Sequence, residues 1–169
     1  MKLTTLQCRN IVPLSHFMKI DIPGNGPLEI ETIILDLNGT LRVGGKLVPG
    51  VAGRIEELRK KCKLVLFSGD TRGDAAQLAK ELGIDFTKTT TGQDKVKEAE
   101  KLHPEFCAAV GNGLIDLELI KRVRLGIVAL QGEGAHAKTL LTADVIVPNV
   151  NDALDLFLDE QRLIATLRE

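Results

Sequence analysis

Short apolar runs rich in β-branched residues alternate with segments of helical periodicity along most of this chain. The runs are TIILDL, KLVLFSG, IDFTKT, FCAAVG, LGIVAL and DVIVP, and apolar residues recur at helical spacing in the segments between them. This alternation predicts an α/β fold, a three-layer sandwich in which a mainly parallel sheet lies between helices, with right-handed crossovers. TIILDL has no polar alternation, which indicates a strand that is buried on both faces.

The two ends of the chain extend this core. KIDI and PLEIE flank PGNG and predict an N-terminal β-hairpin. The stretch NDALDLFLDEQRLIATL predicts one amphipathic terminal helix with Asn151 as its N-cap. Residues 1–17 are interpreted as an extension or a mis-set start, with an ordered strand as the alternative, and residues 18–169 as a single domain.

Composition excludes several classes of protein. With 169 residues, 44% of them hydrophobic, the chain can bury one full core. A net charge of −1 and the absence of Tyr and Trp argue against nucleic acid as a partner. No apolar run approaches the roughly 20 residues that span a bilayer, so we expect no membrane partner. Cys8, Cys62 and Cys107 show no metal-binding spacing, and we expect reduced thiols in a cytoplasmic protein.

The residues best suited to chemistry lie where the predicted strands end. In open α/β sheets, ligands bind beyond the carboxyl ends of the strands. Those ends carry Asp36, Asn38 and Thr40 after the first core strand, Ser68, Gly69 and Asp70 after the second, and Asn112, Gly113 and Asp116 after the fourth; Lys95 lies near the start of the preceding helix. Two carboxylates, a hydroxyl and a lysine are therefore expected to meet at one edge of the sheet.

This set of side chains is suited to phosphoryl transfer. A carboxylate can attack phosphorus and form an aspartyl-phosphate, which divides a difficult hydrolysis into two steps. A lysine, a hydroxyl and backbone N–H groups at a helix N-terminus can hold the phosphoryl oxygens. A magnesium ion bound by one or two carboxylates can offset the remaining negative charge.

The same segments resemble the haloacid dehalogenase superfamily and, within it, the phosphorylation domain of P-type ATPases. DLNGT resembles the ATPase signature DKTGT, FSGDTRGDAAQLAKELGI resembles its TGD segment, and QDKVKEAEKL resembles its lysine segment. VGNGLID resembles GDGxND, and LGIVALQGEGAHAKTLLTADVIV resembles GIAMGxGTDVAxxAADIV. The segments follow in order from about residue 19 to the end, with no room for a nucleotide-binding domain or a large cap. The chain is thus similar to the small, soluble, capless phosphatases of this superfamily.

The resemblance implies a role for each matching residue. The catalytic set would be Asp36 as nucleophile, with Asn38, Ser68 and Lys95. The phosphoryl group would be bound by Thr40, Ser68, Gly69 and Lys95, and Mg²⁺ by Asp36, the Asn38 carbonyl, Asn112 and Asp116, directly or through water. Lys97 is the alternative to Lys95 as the phosphate ligand.

Two departures from the family pattern bear on activity. Most phosphatases of the superfamily carry an acid at the position of Asn38, where it protonates the leaving group and then activates water. An amide cannot do this, so we expect slow hydrolysis, a preference for good leaving groups and a persistent phosphoenzyme. Asn112 replaces the usual metal-binding aspartate, so we expect weak Mg²⁺ binding.

Three questions stay open at this point. A catalytically weak phospho-acceptor or regulatory module is the alternative to an enzyme, whereas a two-component receiver domain would carry its acceptor on a later strand. Residues 40–50 are expected to form a short flap with Gly44 and Gly45 at its tip, which leaves the site open to large substrates or to a neighbouring subunit of a homo-oligomer. The phosphorylated substrate itself is not indicated by the sequence.

Overall fold

The computed structural model describes residues 17–169. The extension proposed for residues 1–17 lies outside the described residues except for Phe17. The strands are β1 (Met18–Ile22), β2 (Gly26–Ile30), β3 (Thr32–Asp36), β4 (Arg42–Val43), β5 (Lys46–Leu47), β6 (Lys63–Ser68), β7 (Asp85–Lys88), β8 (Cys107–Gly111), β9 (Leu125–Ala129) and β10 (Val145–Val147). The helices are α1 (Val51–Leu58), α2 (Ala75–Leu82), α3 (Gly92–Glu100), α4 (Leu117–Arg122), α5 (Ala137–Thr142), α6 (Val150–Leu158) and α7 (Glu160–Leu167), with 3₁₀ turns at Pro104–Phe106 and Leu114–Asp116.

A six-stranded parallel sheet in the order β10-β9-β8-β3-β6-β7 forms the centre of the fold. This confirms the predicted α/β architecture, and the antiparallel pair β1-β2 confirms the predicted N-terminal hairpin. Strand β3 lies between β6 and β8, with Asp36 paired to Phe67 and Leu35 paired to Val110. The carboxyl ends of these three strands are therefore neighbours, which brings together the loops that carry the candidate residues.

The central strand β3 is buried throughout, because the sheet is covered on both faces. Ile33 and Leu35 pack into the larger core cluster, which contains the hairpin and residues of α1, α2, α6 and α7. Ile34, between them, points into a smaller cluster with residues of α3 and α4. This alternation is the period of two that a strand imposes, and it explains why TIILDL shows no polar position.

The insertion that follows β3 is small. Strands β4 and β5 form a two-stranded hairpin with Gly44 and Gly45 at the turn, both at positive φ, as expected for the flap. No helix within residues 17–169 has both the length and the apolar character needed to cross a bilayer. Burial raises the thiol pKa of Cys62 and Cys107 to about 12, so neither is a candidate nucleophile.

The single terminal helix predicted with an Asn151 cap is wrong in two respects. Asp159 has an extended backbone that ends α6, and its carboxylate accepts a hydrogen bond from the N–H of Gln161 (3.2 Å) to start α7. The cap of α6 is Asn149, whose Oδ1 accepts from the N–H of Asp152 (3.1 Å). Asn151 lies inside the first turn and donates to the Pro49 carbonyl (2.9 Å). Several residues near this helix start suit a cap, and periodicity does not distinguish among them.

Replacing Asn149 with Ala should lower the free energy of unfolding by about 1 kcal/mol, because it leaves an N–H at the start of α6 without its partner. Asn149→Ser should retain most of the stability, since a hydroxyl can accept the same hydrogen bond. Urea unfolding of the two variants measures the difference. Equal losses for Ala and Ser would contradict the assignment of this cap.

Candidate active site

The carboxylate of Asp36 lies at the end of β3 and faces a buried lysine. Its Oδ1 is 2.7 Å from Lys95 Nζ, and the Lys95 side chain is 1% exposed. The same ammonium group lies 2.6 Å from Asp116 Oδ1. One buried cation thus holds two carboxylates that come from separate segments of the chain, and without Lys95 both would be buried with no counter-charge.

Lys95 owes its position to the start of α3. Thr91 caps this helix by accepting from the N–H of Asp94, and the Asp94 carboxylate accepts from the N–H of Thr91 in return. This capping box fixes the first turn, on which Lys95 points inward toward the strand ends. Lys97 is exposed, since residues two apart lie on nearly opposite sides of a helix. The structure therefore brings Lys95, and not Lys97, to Asp36.

The loop after β8 is organised by Asp116. Its Oδ2 accepts from the N–H groups of Asn112 (3.0 Å) and Gly113 (2.9 Å), while its Oδ1 faces Lys95. Both oxygens are thus occupied by donors of the protein. At Gly111 a Cβ would overlap this carboxylate, so only glycine allows the close approach. Asp116 fixes the direction of Lys95 and the shape of its own loop.

Thr40 connects the two sides of the site. Its hydroxyl lies 3.2 Å from Asp36 Oδ2 and 3.3 Å from Asn112 Oδ1. Gly39, at a φ of 81°, turns the chain so that its α-carbon lies against the Asn112 amide, where a Cβ would overlap it. The Asn112 Nδ2 in turn donates to the Gly134 carbonyl (2.9 Å). The Asp36 and Asn112 oxygens therefore face the same hydroxyl from opposite loops.

Ser68 ends β6 beside this group and is buried. Its Oγ accepts from the N–H of Asp70 (3.1 Å), a residue held at a φ of 54°. Because this contact uses a lone pair, the hydroxyl proton remains free to be donated into the cleft. Asp70 also accepts from the N–H of Ala75 (2.8 Å), the first residue of α2, so its carboxylate is engaged by the protein.

A cleft of about 220 Å³ opens onto these side chains. It is lined by Asp36, Asn38, Ser68, Gly69, Thr71, Thr90, Lys95, Asn112, Gly113, Ile115 and Asp116. The structure therefore gathers every sequence-predicted site residue at one edge of the sheet, with Thr40 just beneath the cleft wall. Asn38 lines the cleft and is exposed to solvent.

Burial governs the ionisation of this site. Burial, together with the nearby Asp116 carboxylate, raises the pKa of Asp36 to about 6 against the opposing effect of Lys95. For Lys95 burial alone would lower the pKa, but Asp36 and Asp116 outweigh it and hold the pKa above its usual range. The lysine therefore stays charged, while the nucleophile candidate ionises only at some energetic cost.

The oxygen atoms present suit a weak site for a hard divalent cation. Within residues 17–169, no three His, Cys, Asp or Glu side chains cluster closely enough to hold a metal ion. Asp36 Oδ2 and Asn112 Oδ1 nevertheless converge beside the Thr40 hydroxyl, and the Asn38 carbonyl belongs to the same loop. Mg²⁺ keeps several waters and needs only one or two carboxylates, so this donor set fits it.

Three contacts of the site were not predicted from sequence. Gln131 donates to the carbonyls of Gly39 (3.0 Å) and Thr40, and Arg42 of the flap forms two hydrogen bonds with Asp74 (2.9 and 3.1 Å). The flap is also fixed at Gly44, whose N–H donates to Glu133 (2.8 Å). Gln131 follows β9 at the same edge of the sheet, so the rule that placed the other candidates could have found it.

Comparison with known proteins agrees with this geometry. A family model for haloacid dehalogenase-like hydrolases matches residues 27–124. A soluble P-type ATPase-like phosphatase of Methanocaldococcus jannaschii is 27% identical over 135 residues, 76% of this chain and 50% of that protein. An uncharacterised protein of the same organism is 45% identical over 75 residues, 44% of this chain and 81% of that protein. The zinc/cadmium/lead-transporting P-type ATPase of Escherichia coli is 30% identical over 116 residues, 64% of this chain but 16% of that protein. The chain thus spans half of the phosphatase and a small part of the transporter.

Solved structures share the fold. The cobalt-bound deoxy-D-mannose-octulosonate 8-phosphate phosphatase of Haemophilus influenzae superposes with a TM-score of 0.65 at 14% identity, covering 83% of this chain and 94% of that one. The 3-deoxy-D-manno-octulosonate 8-phosphate phosphatase of Moraxella catarrhalis, in complex with magnesium, phosphate and a KDO molecule, gives 0.61 at 20% identity, covering 82% of this chain and 94% of that one. At these identities the likeness establishes the fold alone.

Replacing Asp36 with Asn should stabilise the metal-free protein above pH 7, on the order of 2 kcal/mol. The folded-state pKa of about 6 lies above the unfolded value, so the folded protein binds the Asp36 proton more tightly. Ionisation of Asp36 therefore lowers stability progressively as the pH rises from about 4 to 6. The advantage of Asp36→Asn should disappear as the pH falls through that window.

Chemical unfolding in the presence of a chelator, from pH 4 to 8, measures this effect. Asp21→Asn is the control, because it makes the same chemical change at an exposed position on β1, outside the site. If the difference in unfolding free energy between wild type and Asp36→Asn stays constant from pH 4 to 8, ionisation of Asp36 does not lower the stability of the folded protein.

Proposed function

This chain belongs to the haloacid dehalogenase-like hydrolase family, and from that premise we propose that it is a magnesium-dependent phosphohydrolase that works through an aspartyl-phosphate on Asp36. The observation that carries the proposal is the buried arrangement of Asp36 and Lys95, 2.7 Å apart, with the Ser68 hydroxyl at the same cleft. An ion pair that served only as a surface contact would not have to be buried in this way. Here the nucleophile and the groups that bind phosphoryl oxygens share one small cavity.

The first step would be attack by an Asp36 oxygen on phosphorus. A bond forms between that oxygen and phosphorus, and the bond from phosphorus to the leaving-group oxygen breaks, with its electron pair staying on that oxygen. Lys95 donates to the phosphoryl oxygens, and so does Ser68, whose hydroxyl proton is left free because its contact with Asp70 uses only a lone pair. In the second step water attacks phosphorus, which releases inorganic phosphate and regenerates the Asp36 carboxylate.

Asn38 would make both steps slow. An amide neither protonates the departing oxygen nor removes a proton from the attacking water, so the leaving group takes its proton from solvent. General acid–base catalysis raises the rate by about 10²–10⁴-fold, and this site would lack that contribution. We therefore expect acyl phosphates and aryl phosphates to be the preferred substrates, because their leaving groups need little protonation. We also expect the phosphoenzyme to accumulate.

Mg²⁺ would be held by Asp36, by the carbonyl of Asn38 and by the side-chain oxygen of Asn112. Its contribution would be positive charge against the phosphoryl oxygens. Asp116 is assigned a place outside the direct ligands, acting through water, because both of its oxygens already accept hydrogen bonds from the protein. The amide at Asn112 brings no charge, so binding should be weak.

The relatives support a phosphorylated substrate without naming it. One is a soluble P-type ATPase-like phosphatase, and the solved neighbours include sugar-phosphate phosphatases. We propose that the open cleft and small flap suit either a large substrate or closure by a second copy of the chain. A cytoplasmic location and a homo-oligomeric state stay predictions of the sequence.

A catalytically weak phospho-acceptor is the second candidate. The specific observation in its favour is the presence of Asn38 and Asn112 at positions where the family resemblance leads us to expect acids. Such a module would hold phosphate on Asp36 and signal through that state. It differs from an enzyme in one measurable way, because it would not release phosphate over many turnovers.

The test of the proposed function combines two measurements on one sample. Purified protein with Mg²⁺ and acetyl phosphate is assayed for phosphate release and acid-quenched for protein-bound phosphate. We expect slow multiple turnover and a trapped phosphoenzyme, both lost in Asp36→Asn. Label without turnover would favour the phospho-acceptor, and neither label nor release would refute both functions.

Restoring an acid at position 38 should accelerate turnover. Asn38→Asp should raise the rate of phosphate release by about 10²-fold or more, because the carboxyl can protonate the leaving group and then activate water. The trapped phosphoenzyme should fall correspondingly. Asn38→Ala is the matched control and should leave release within about threefold of the wild type. No gain in Asn38→Asp would mean that position 38 does not face the leaving group.

A carboxylate at position 112 should tighten metal binding. Asn112→Asp should increase Mg²⁺ affinity roughly tenfold, about 1.4 kcal/mol, since it adds a negative charge to the proposed ligands. Isothermal titration measures the affinity. Asn25→Asp adds the same charge at the hairpin turn, remote from the site, and should leave binding unchanged. Tight micromolar binding by the wild type would already contradict the weak site proposed here.

A further inference from the structure

Gln131 bridges three segments of the chain beside the candidate site. It lies two residues beyond the end of β9 and is partly buried. Its Nε2 donates to the carbonyl oxygens of Gly39 (3.0 Å) and Thr40, and its Oε1 accepts from the N–H of Val150 (3.1 Å), the first residue of α6. One amide therefore joins the loop that follows the nucleophile to the start of a helix on the other side of the sheet edge.

The requirement for an amide follows from the groups that it satisfies. The carbonyls of Gly39 and Thr40 belong to buried residues, and Val150 is buried as well. Buried carbonyls and a helix-start N–H are costly to leave without partners. Among uncharged side chains of this length, only a primary amide offers a donor and an acceptor in one planar group. A carboxylate would lose the donor, and a thioether would lose both.

The two carbonyls lie next to the atoms that orient the nucleophile. The hydroxyl of Thr40 lies within hydrogen-bond distance of Asp36 Oδ2 and of Asn112 Oδ1. Gly39 packs against the Asn112 amide, and the segment that carries Gln131 also provides the Gly134 carbonyl that accepts from Asn112. A shift of the Gly39 and Thr40 backbone would therefore turn both the Asp36 carboxylate and the Asn112 amide.

We propose that Gln131 is a positioning residue for the nucleophile loop, residues 36–40, and that it sets the direction of the Asp36 carboxylate. It does so through the Gly39 and Thr40 carbonyls and makes no contact with the cleft, since it is not among the residues that line it. The expected effect of Gln131 on the reaction rate rests on the proposed function. A misplacement of about 1 Å can reduce a rate by about 10²-fold, so the effect is within reach of measurement.

The first measurement is the single-turnover rate of phosphoenzyme formation from acetyl phosphate. Gln131→Met keeps the length of the side chain and removes both donor and acceptor, and Gln131→Glu removes only the donor. Both should lower the rate roughly tenfold or more, with the half-saturating acetyl phosphate concentration changed by less than about threefold. A loss of binding with an unchanged maximal rate would overturn the proposal.

Asn149→Ala is the matched control for a merely structural role. It removes a hydrogen bond from the start of the same helix, α6, without touching residues 36–40. Its rate of phosphoenzyme formation should stay within about threefold of the wild type. If Asn149→Ala slows the reaction as much as Gln131→Met, the effect belongs to the helix and Gln131 is not a positioning residue.

Amide hydrogen exchange gives a second readout that does not depend on activity. The N–H of Arg42 donates to the Leu37 carbonyl (2.8 Å) across the nucleophile loop. Its exchange should be roughly tenfold faster in Gln131→Met than in the wild type and unchanged in Asn149→Ala. Equal exchange in Gln131→Met and the wild type would overturn the proposal. A wild type that forms no phosphoenzyme would refute the proposed function, while the exchange rates would still decide whether Gln131 holds the loop.

Discussion

The interaction on which the site depends is the contact of one buried ammonium with two carboxylates. Lys95 reaches Asp36 and Asp116 at 2.7 and 2.6 Å, and all three side chains are largely withdrawn from solvent. Removing Lys95 would leave two buried carboxylates without a counter-charge, whereas removing either carboxylate leaves the ammonium with one partner. The strand order places the ends of β3 and β8 side by side, and the capping box of α3 aims the lysine between them. The fold therefore brings three separate segments of the chain together around one ammonium group.

The two asparagines change the electrostatics of this arrangement as well as its chemistry. With Asn38 and Asn112, the groups around Asp36 carry one net negative charge, from two carboxylates and one ammonium. Aspartates at both positions would add two more negative charges in the same small volume. An approaching phosphoryl group thus meets less repulsion, and less positive charge is needed from a metal to offset it. The weak metal binding that we propose and a smaller requirement for the metal would have the same origin.

The sequence was informative where the physical signal is local, and uninformative where it is not. Unbroken β-branched runs identify buried strands, and the rule of carboxyl ends then gathers Asp36, Ser68 and Asp116 at one edge. Several neighbouring residues are suited to cap α6, so the sequence did not distinguish Asn149 from Asn151. The contacts of Gln131 span 91 and 92 residues of sequence, and no periodicity or motif reports a hydrogen bond across that separation. Whether Lys95 or Lys97 faces the sheet depends on the position of each residue around the axis of α3. That position depends on where the helix begins.

The surroundings of the cleft limit what the chain can recognise by itself. Beyond the ionised groups, the lining consists of neutral side chains such as Asn38, Thr71, Thr90 and Ile115. The flap is only two short strands; its Arg42 guanidinium is paired with Asp74, and its Gly44 N–H donates to Glu133. Nothing in this lining could bind a charged leaving group strongly. Under the proposed function, selectivity within residues 17–169 would reside in recognition of the phosphoryl group. Discrimination among phosphorylated compounds would come from the size of the molecule that reaches the open edge or from a second protein surface placed against it.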